Sequence, residues 1–146
     1  RRAAWVYLNR VDPDYVHLAW PRGPWSQMQY ARQQDEPQKV SRGMKREGQK
    51  QLLFFVNMVV EWQKKRGRVY AGEGSKKSLA WQQPTIAAAF EGSSSADTHV
   101  CVWNKRRPDD QMLVKKAMTV KGSKEVCAAV NKQCNNRPPT RWSRVT

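Results

Sequence analysis

Between residues 44 and 66, Leu52, Leu53, Phe55, Val56, Val59, Val60 and Trp62 recur at spacings of three and four, the period of a helix with one buried face. Lys64-Lys65-Arg66 suit the negative end of that helix, and Gly67 is a natural stop. Ahead of it, Tyr15-Val16-His17-Leu18-Ala19-Trp20 is an apolar run of strand length, closed by the stiff loop Pro21-Arg22-Gly23-Pro24. Residues 21–43 are polar, rich in Gln, Arg and Pro, and carry no period, so they read as a long loop or a partly helical excursion. Shorter signals fill in the rest. Residues 3–10 suit a short helix and Asp12-Pro13-Asp14 a turn; residues 68–71 read as a strand, followed by a flexible loop at Gly72-Glu73-Gly74-Ser75. Pro84 opens a helix over 85–90, Gly92-Ser93-Ser94-Ser95 is a linker, and strands are expected at 98–103 and 112–120 on either side of a charged turn at 105–110. Ser123 is the expected N-cap of a last helix reaching residue 133, with Glu125 in its first turn.

Strand and helix alternate at this spacing in an α/β layer, so the expectation is a single domain over 1–133 with a mostly parallel sheet flanked by helices, extended basic loops, and a basic tail over 134–146. Open sheets of that kind place ligands at the carboxyl ends of their strands, which singles out the loop around Arg22.

Charge changes the picture more than composition does. Lys and Arg number 27 against 12 acids, a net charge of +15, spread along the whole chain. Such a field favours a polyanionic partner, and nucleic acid before an acidic membrane surface. Four basic clusters are candidate phosphate contacts: Arg42, Lys45 and Arg46; Lys64, Lys65, Arg66 and Arg68; Lys105, Arg106 and Arg107; and, in the tail, Arg137, Arg141 and Arg144. A single cluster is ordinarily a solvated face; four with few neighbouring acids are harder to dismiss. Of seven tryptophans, Trp5, Trp62 and Trp103 fall within expected elements and suit the core. Trp20, Trp25, Trp81 and Trp142 fall in loops or tail, where stacking on bases or on a partner and capping of the core are equally good readings.

The three cysteines, Cys101, Cys127 and Cys134, are odd in number and include no C-x-x-C pair, which fits neither a disulfide framework nor a zinc site and favours a reducing compartment, an organelle included. No metal or cofactor is expected, and no apolar run has the length of a membrane span. The chain opens on Arg1-Arg2 without methionine, as a trimmed or processed protein would, with room for a targeting segment upstream.

The string from Asp14 to Gln29, with His17-Leu18-Ala19-Trp20-Pro21-Arg22-Gly23-Pro24-Trp25-Ser26 at its centre, resembles the cytosine-5 DNA methyltransferase-like domains of some eukaryotic retroelement polyproteins. The resemblance runs through Lys65-Arg66-Gly67-Arg68, through Gly72-Glu73-Gly74 in the place of Glu-Asn-Pro, and through Ser78-Leu79-Ala80-Trp81-Gln82-Gln83-Pro84; it is weaker at Cys101 and over 114–119. It implies a partial Rossmann-like methyltransferase layer over roughly residues 10–120. In that family a cysteine in the first loop attacks the cytosine ring and the glutamate after the next strand contacts the base, chemistry that needs a thiolate and a flipped-out base. Here Arg22 stands at the cysteine position and Gly74 follows Glu73; no glycine-rich loop for S-adenosylmethionine and no Cys-and-His cluster occurs. The departures imply a fold kept and a chemistry lost. Glu73 then reads as an exposed loop carboxylate, and His17 as a hydrogen-bonded core or edge histidine.

The resulting expectation is a non-catalytic, basic protein that binds nucleic acid, RNA before DNA, within a ribonucleoprotein such as an organellar ribosome. Two other classes stand beside it: a fragment of a DNA cytosine methyltransferase, and a structural subunit of a large protein assembly whose loop tryptophans, Trp25, Trp81 and Trp142, sit at interfaces.

Overall fold

A long helix lies across one half of a four-stranded sheet and runs well past it. The computed structural model describes residues 2–27, 35–103, 106, 108–111, 113–133 and 143–144. Its helices are α1 (Arg2–Val11), α2 (Glu36–Lys65), α3 (Pro84–Ala89) and α4 (Lys124–Val130). Its strands are β1 (Tyr15–Ala19), β2 (Val69–Ser75), β3 (Ser94–His99), β4 (Val114–Lys115), β5 (Ala117–Gly122) and β6 (Ser143–Arg144). Short 3-10 turns cover Gly23–Trp25, Leu79–Gln82 and Val100–Trp103.

The main sheet has the order β1-β2-β5-β3, and the short β4 and β6 pair separately. Only β1 and β2 are parallel; β5 is antiparallel to both of its neighbours. The architecture is thus mixed α/β, and the expected mostly parallel sheet is corrected to a mostly antiparallel one. The reason is topological. One crossover through α2 gives β1 and β2 their parallel pairing, but β5 returns in the opposite direction and fills the slot between β2 and β3.

Four local expectations also change. The stretch 21–43 is not all loop, because α2 begins at Glu36. Asp35 caps it, its carboxylate accepting from the Gln38 amide at 2.9 Å, and Pro37 fits the first turn. Strand β2 continues through Gly72-Glu73-Gly74 instead of ending before it. Those glycines are required by what lies over them: a Cβ on Gly72 would sit 2.4 Å from Phe90 Cζ, and one on Gly74 3.2 Å from Trp20 and from Trp81. Strand β3 starts in the serine run expected to be a linker, and residues 100–103 form a 3-10 turn where strand was expected. Ser123 is the N-cap residue of α4 as expected, but its hydroxyl accepts from the Tyr70 amide at 3.0 Å and not from the first turn of the helix.

The core lies between α2, α3 and the sheet, built from Leu53, Val56 and Val60 against Trp20, Trp25, Tyr70, Ile86 and Phe90. Val16 and Val59 are buried as expected, whereas Leu52, Leu18, Val69 and Val102 are only half-buried and Trp103 is exposed. Gln63 is fully buried; its amide donates to the carbonyls of Pro13 and Val69, which ties the end of α2 to the starts of both parallel strands. The other sheet face carries Ala71, Ala96, Met118 and Val120 and is covered by α4, whose Cys127 is buried.

Cys101 is disulfide-bonded, contrary to the expectation drawn from cysteine spacing. Spacing along the chain says little about which thiols the fold brings together. Cys127 is the free thiol among the described residues, and burial raises its pKa. With a disulfide present, cysteine usage no longer argues for a reducing compartment.

Candidate functional site

Strand alternation on β1 turns Val16 and Leu18 toward α2 and leaves Tyr15, His17 and Ala19 on the opposite face. The parallel register sets Ala19 beside Glu73 and His17 beside Ala71, so the imidazole and the Glu73 carboxylate share that face as diagonal neighbours. They meet: His17 Nε2 lies 3.1 Å from one Glu73 oxygen, and the Tyr15 hydroxyl lies 2.7 Å from His17 Nδ1. One tautomer satisfies both contacts, with Nε2–H donating to the carboxylate and Nδ1 accepting from the hydroxyl. The other Glu73 oxygen faces the Arg22 guanidinium at 3.9 Å. Glu73 is therefore a half-buried strand residue with two partners, not an exposed loop carboxylate. His17 is a hydrogen-bonded edge histidine.

Electrostatics at this edge favour neutralisation. Burial, with the Glu73 charge second, raises the Tyr15 pKa, so the phenol stays a protonated donor. Burial and then repulsion from Arg22 lower the Lys116 pKa. The loop centre where the resemblance would place a thiolate carries a permanent cation, Arg22, whose guanidinium faces Glu73.

The loop is clamped as well as charged. Trp25 is buried and donates from Nε1 to Gln49 at 2.8 Å; Arg46 donates to the Pro24 carbonyl at 2.7 Å and lies 5.8 Å from the Trp25 ring. Trp20 is also buried and packs edge-on against Trp81 at 4.7 Å. Trp81 is half-buried, donates to the Ser75 carbonyl at 3.1 Å and has Lys121 over its ring. Trp25 thus caps the core and offers no open face for a base; Trp142 lies outside the described residues. Aromatic rings also cover the β2 glycines, Phe90 over Gly72 and Trp20 and Trp81 over Gly74.

The basic clusters separate into two kinds. At the end of α2, Lys64 donates to the Ala89 carbonyl at 2.6 Å, Arg66 pairs with Asp12 and stacks over Trp62 at 4.2 Å, and Arg68 binds the Asp12 carbonyl at 2.6 Å and its carboxylate at 2.8 Å. These three hold the turn before β1, where Asp12 has a φ of 52°, and the end of α3. Lys65 is exposed.

The first half of α2 is different. Between 36 and 50 it carries five basic residues, Lys39, Arg42, Lys45, Arg46 and Lys50, against two acids. Lys39, Lys45 and Lys50 are exposed; Lys39 and Lys50 make local pairs with Glu36 and Glu47, each at 2.6 Å. The structure thus groups the Arg42 cluster with Lys39 and Lys50, which the sequence reading did not include; helical spacing supplies the grouping once α2 is extended back from residue 44 to residue 36. Arg106 is exposed and bonds the Gln111 carbonyl at 2.9 Å. Lys105, Arg107, Arg137 and Arg141 lie outside the described residues, as does the side chain of Arg144.

Among the described residues no group of His, Cys, Asp and Glu has the arrangement of a metal site, and no helix is long and apolar enough to cross a membrane. No family model, curated protein or solved structure matches the chain.

Proposed function

We propose that this chain is a non-catalytic, basic protein that binds the nucleic-acid backbone, RNA before DNA, as a component of a ribonucleoprotein. On this reading β1, α2 and β2 are the remnant of a degenerate methyltransferase-like layer, and Arg22 opposite Glu73 is what replaced its chemistry. The observation that carries the reading is charge: a net +15, with Lys39, Lys45 and Lys50 exposed on the first half of α2. Phosphate contacts of this kind displace counterions, so affinity falls steeply as salt rises and depends little on base order.

The test is titration of a short structured RNA, and of a DNA duplex of equal length, at several salt concentrations. Replacing Lys39, Arg42 and Lys45 by glutamine is expected to weaken binding and to flatten the salt slope by up to about one unit per lost contact. Arg66 and Arg68 are poor choices for that experiment, because their loss would disturb the turn at Asp12. Binding that ignores salt, or no binding at all, would overturn the proposal; a tighter complex with duplex DNA would overturn the preference for RNA.

A further inference from the structure

Of the nine exposed large hydrophobic residues among those described, Tyr15 and Trp103 lie elsewhere and seven lie on two helices. Val6, Tyr7 and Val11 lie on α1, and Val40, Met44, Phe54 and Met58 lie on α2. Helix α1 buries no residue fully and leans on α2 through Trp5, whose ring meets Trp62 edge-on at 5.5 Å. Between the two helices runs an open groove of about 400 Å³ lined by Trp5, Phe54, Phe55 and Met58, with Gln51 and Arg2 as its polar members. Phe54 is 59% exposed within it. An exposed apolar groove of this kind marks an interaction site.

Two neighbouring helices with an apolar channel between them are shaped to take a third helix. Charge selects which helix. Two copies of a chain at +15 repel one another, which opposes self-association through this face. Basic residues also attend the groove: Arg2 lines it, and Lys50, one turn before Phe54, is exposed and pairs with Glu47 at 2.6 Å. An apolar floor offers nothing to a phosphate backbone, so Phe54 and Met58 are distinct from the amines proposed to bind RNA, with Lys50 bordering both. We propose that the groove between α1 and α2 docks an acidic amphipathic helix from a partner protein, its apolar face against Phe54 and Met58 and its carboxylates against the basic rim.

The probe is a labelled synthetic helix with leucine on one face and glutamate on the other, titrated by fluorescence anisotropy; its control has lysine in place of glutamate. The glutamate helix is expected to bind saturably and the lysine helix not. Phe54→Ser is expected to weaken binding about tenfold or more, the size of a hot-spot loss. Because Phe54 is exposed the fold should tolerate this change, and Met58→Ser gives a second reading of the same floor. RNA binding by Phe54→Ser should match that of the parent chain, which separates this proposal from the one above. Absence of binding, equal binding of the lysine helix, or a parent-like affinity in both variants would overturn it. So would a dimer of this chain that Phe54→Ser dissociates, since a second copy would then own the groove.

Discussion

The two halves of α2 belong to one unbroken helix of 30 residues, about 45 Å long at the usual rise, yet they are held by different forces. From Gln49 to Gln63 the helix buries Leu53, Val56, Val59 and Val60 against the sheet and α3. From Glu36 to Gly48 it buries nothing fully. There the helix rests on its cap at Asp35, on the ion pairs of Glu36 with Lys39 and of Glu47 with Lys50 just beyond, and on Arg46 reaching the Pro24 carbonyl. The first kind of helix is made by tertiary packing, the second by local chemistry, and local terms are each worth only tenths of a kcal/mol to about one. The half left outside the core carries the exposed amines of Lys39 and Lys45. A surface free of packing duty is free to hold charge.

The largest expected effect lies in the packed half. Leu53→Ala removes a side chain that is 2% exposed and leaves a cavity between α2 and the rest of the core, at a cost of about 2–5 kcal/mol. A thermal melt should show it as a loss of global stability. An unchanged melt would mean that this half, too, is held locally, and the contrast between the halves would fail. A smaller effect is expected at the other end. Asp35→Ala removes the cap accepted from Gln38 and should cost about 0.5–2 kcal/mol of local helix stability. It should appear as faster amide exchange over residues 38–47 with little change in the melt, because the arm opens without the core. A melt shifted as far as that of Leu53→Ala would show that the arm is part of the cooperative unit.

The same contrast explains what the sequence revealed. Hydrophobic period reports burial, so it located the packed half of α2 and the strand at Tyr15–Ala19 and was silent about residues 36–43, which are helical without being buried. The helix-start signal at Asp35, followed by Pro37, was present but sat inside a run too polar to suggest a helix. Gly72 and Gly74 read as loop because their role is to make room for Phe90, Trp20 and Trp81, contacts that no local pattern records. Strand direction was not legible for the same reason: an antiparallel β5 between β2 and β3 is decided by long-range pairing. At the candidate site, the position of Arg22 in the loop and the presence of Glu73 were legible. The chain of contacts from Tyr15 through His17 to Glu73 required the register of β1 on β2.

The smallest expected effect is the sharpest test of how the arm is held. Gly43 and Gly48 lie within α2, where glycine is disfavoured because it loses the most backbone freedom on becoming helical. A Cβ built on Gly48 meets nothing within 4 Å, and its φ is not in the left-handed region. Alanine there therefore adds no clash and removes only the entropic penalty. Gly48→Ala should stabilise the arm by about 0.5–1 kcal/mol, seen as amide exchange over residues 38–47 slowed about two- to fivefold. The melt should stay where it is, since the core does not depend on the arm. If exchange is unaltered, the arm does not open as a helix at that junction, and its stability comes from contacts other than its own backbone. If exchange slows and RNA affinity rises with it, the arm's order before binding limits recognition, because a partly unwound arm must be folded at the expense of the contacts it makes.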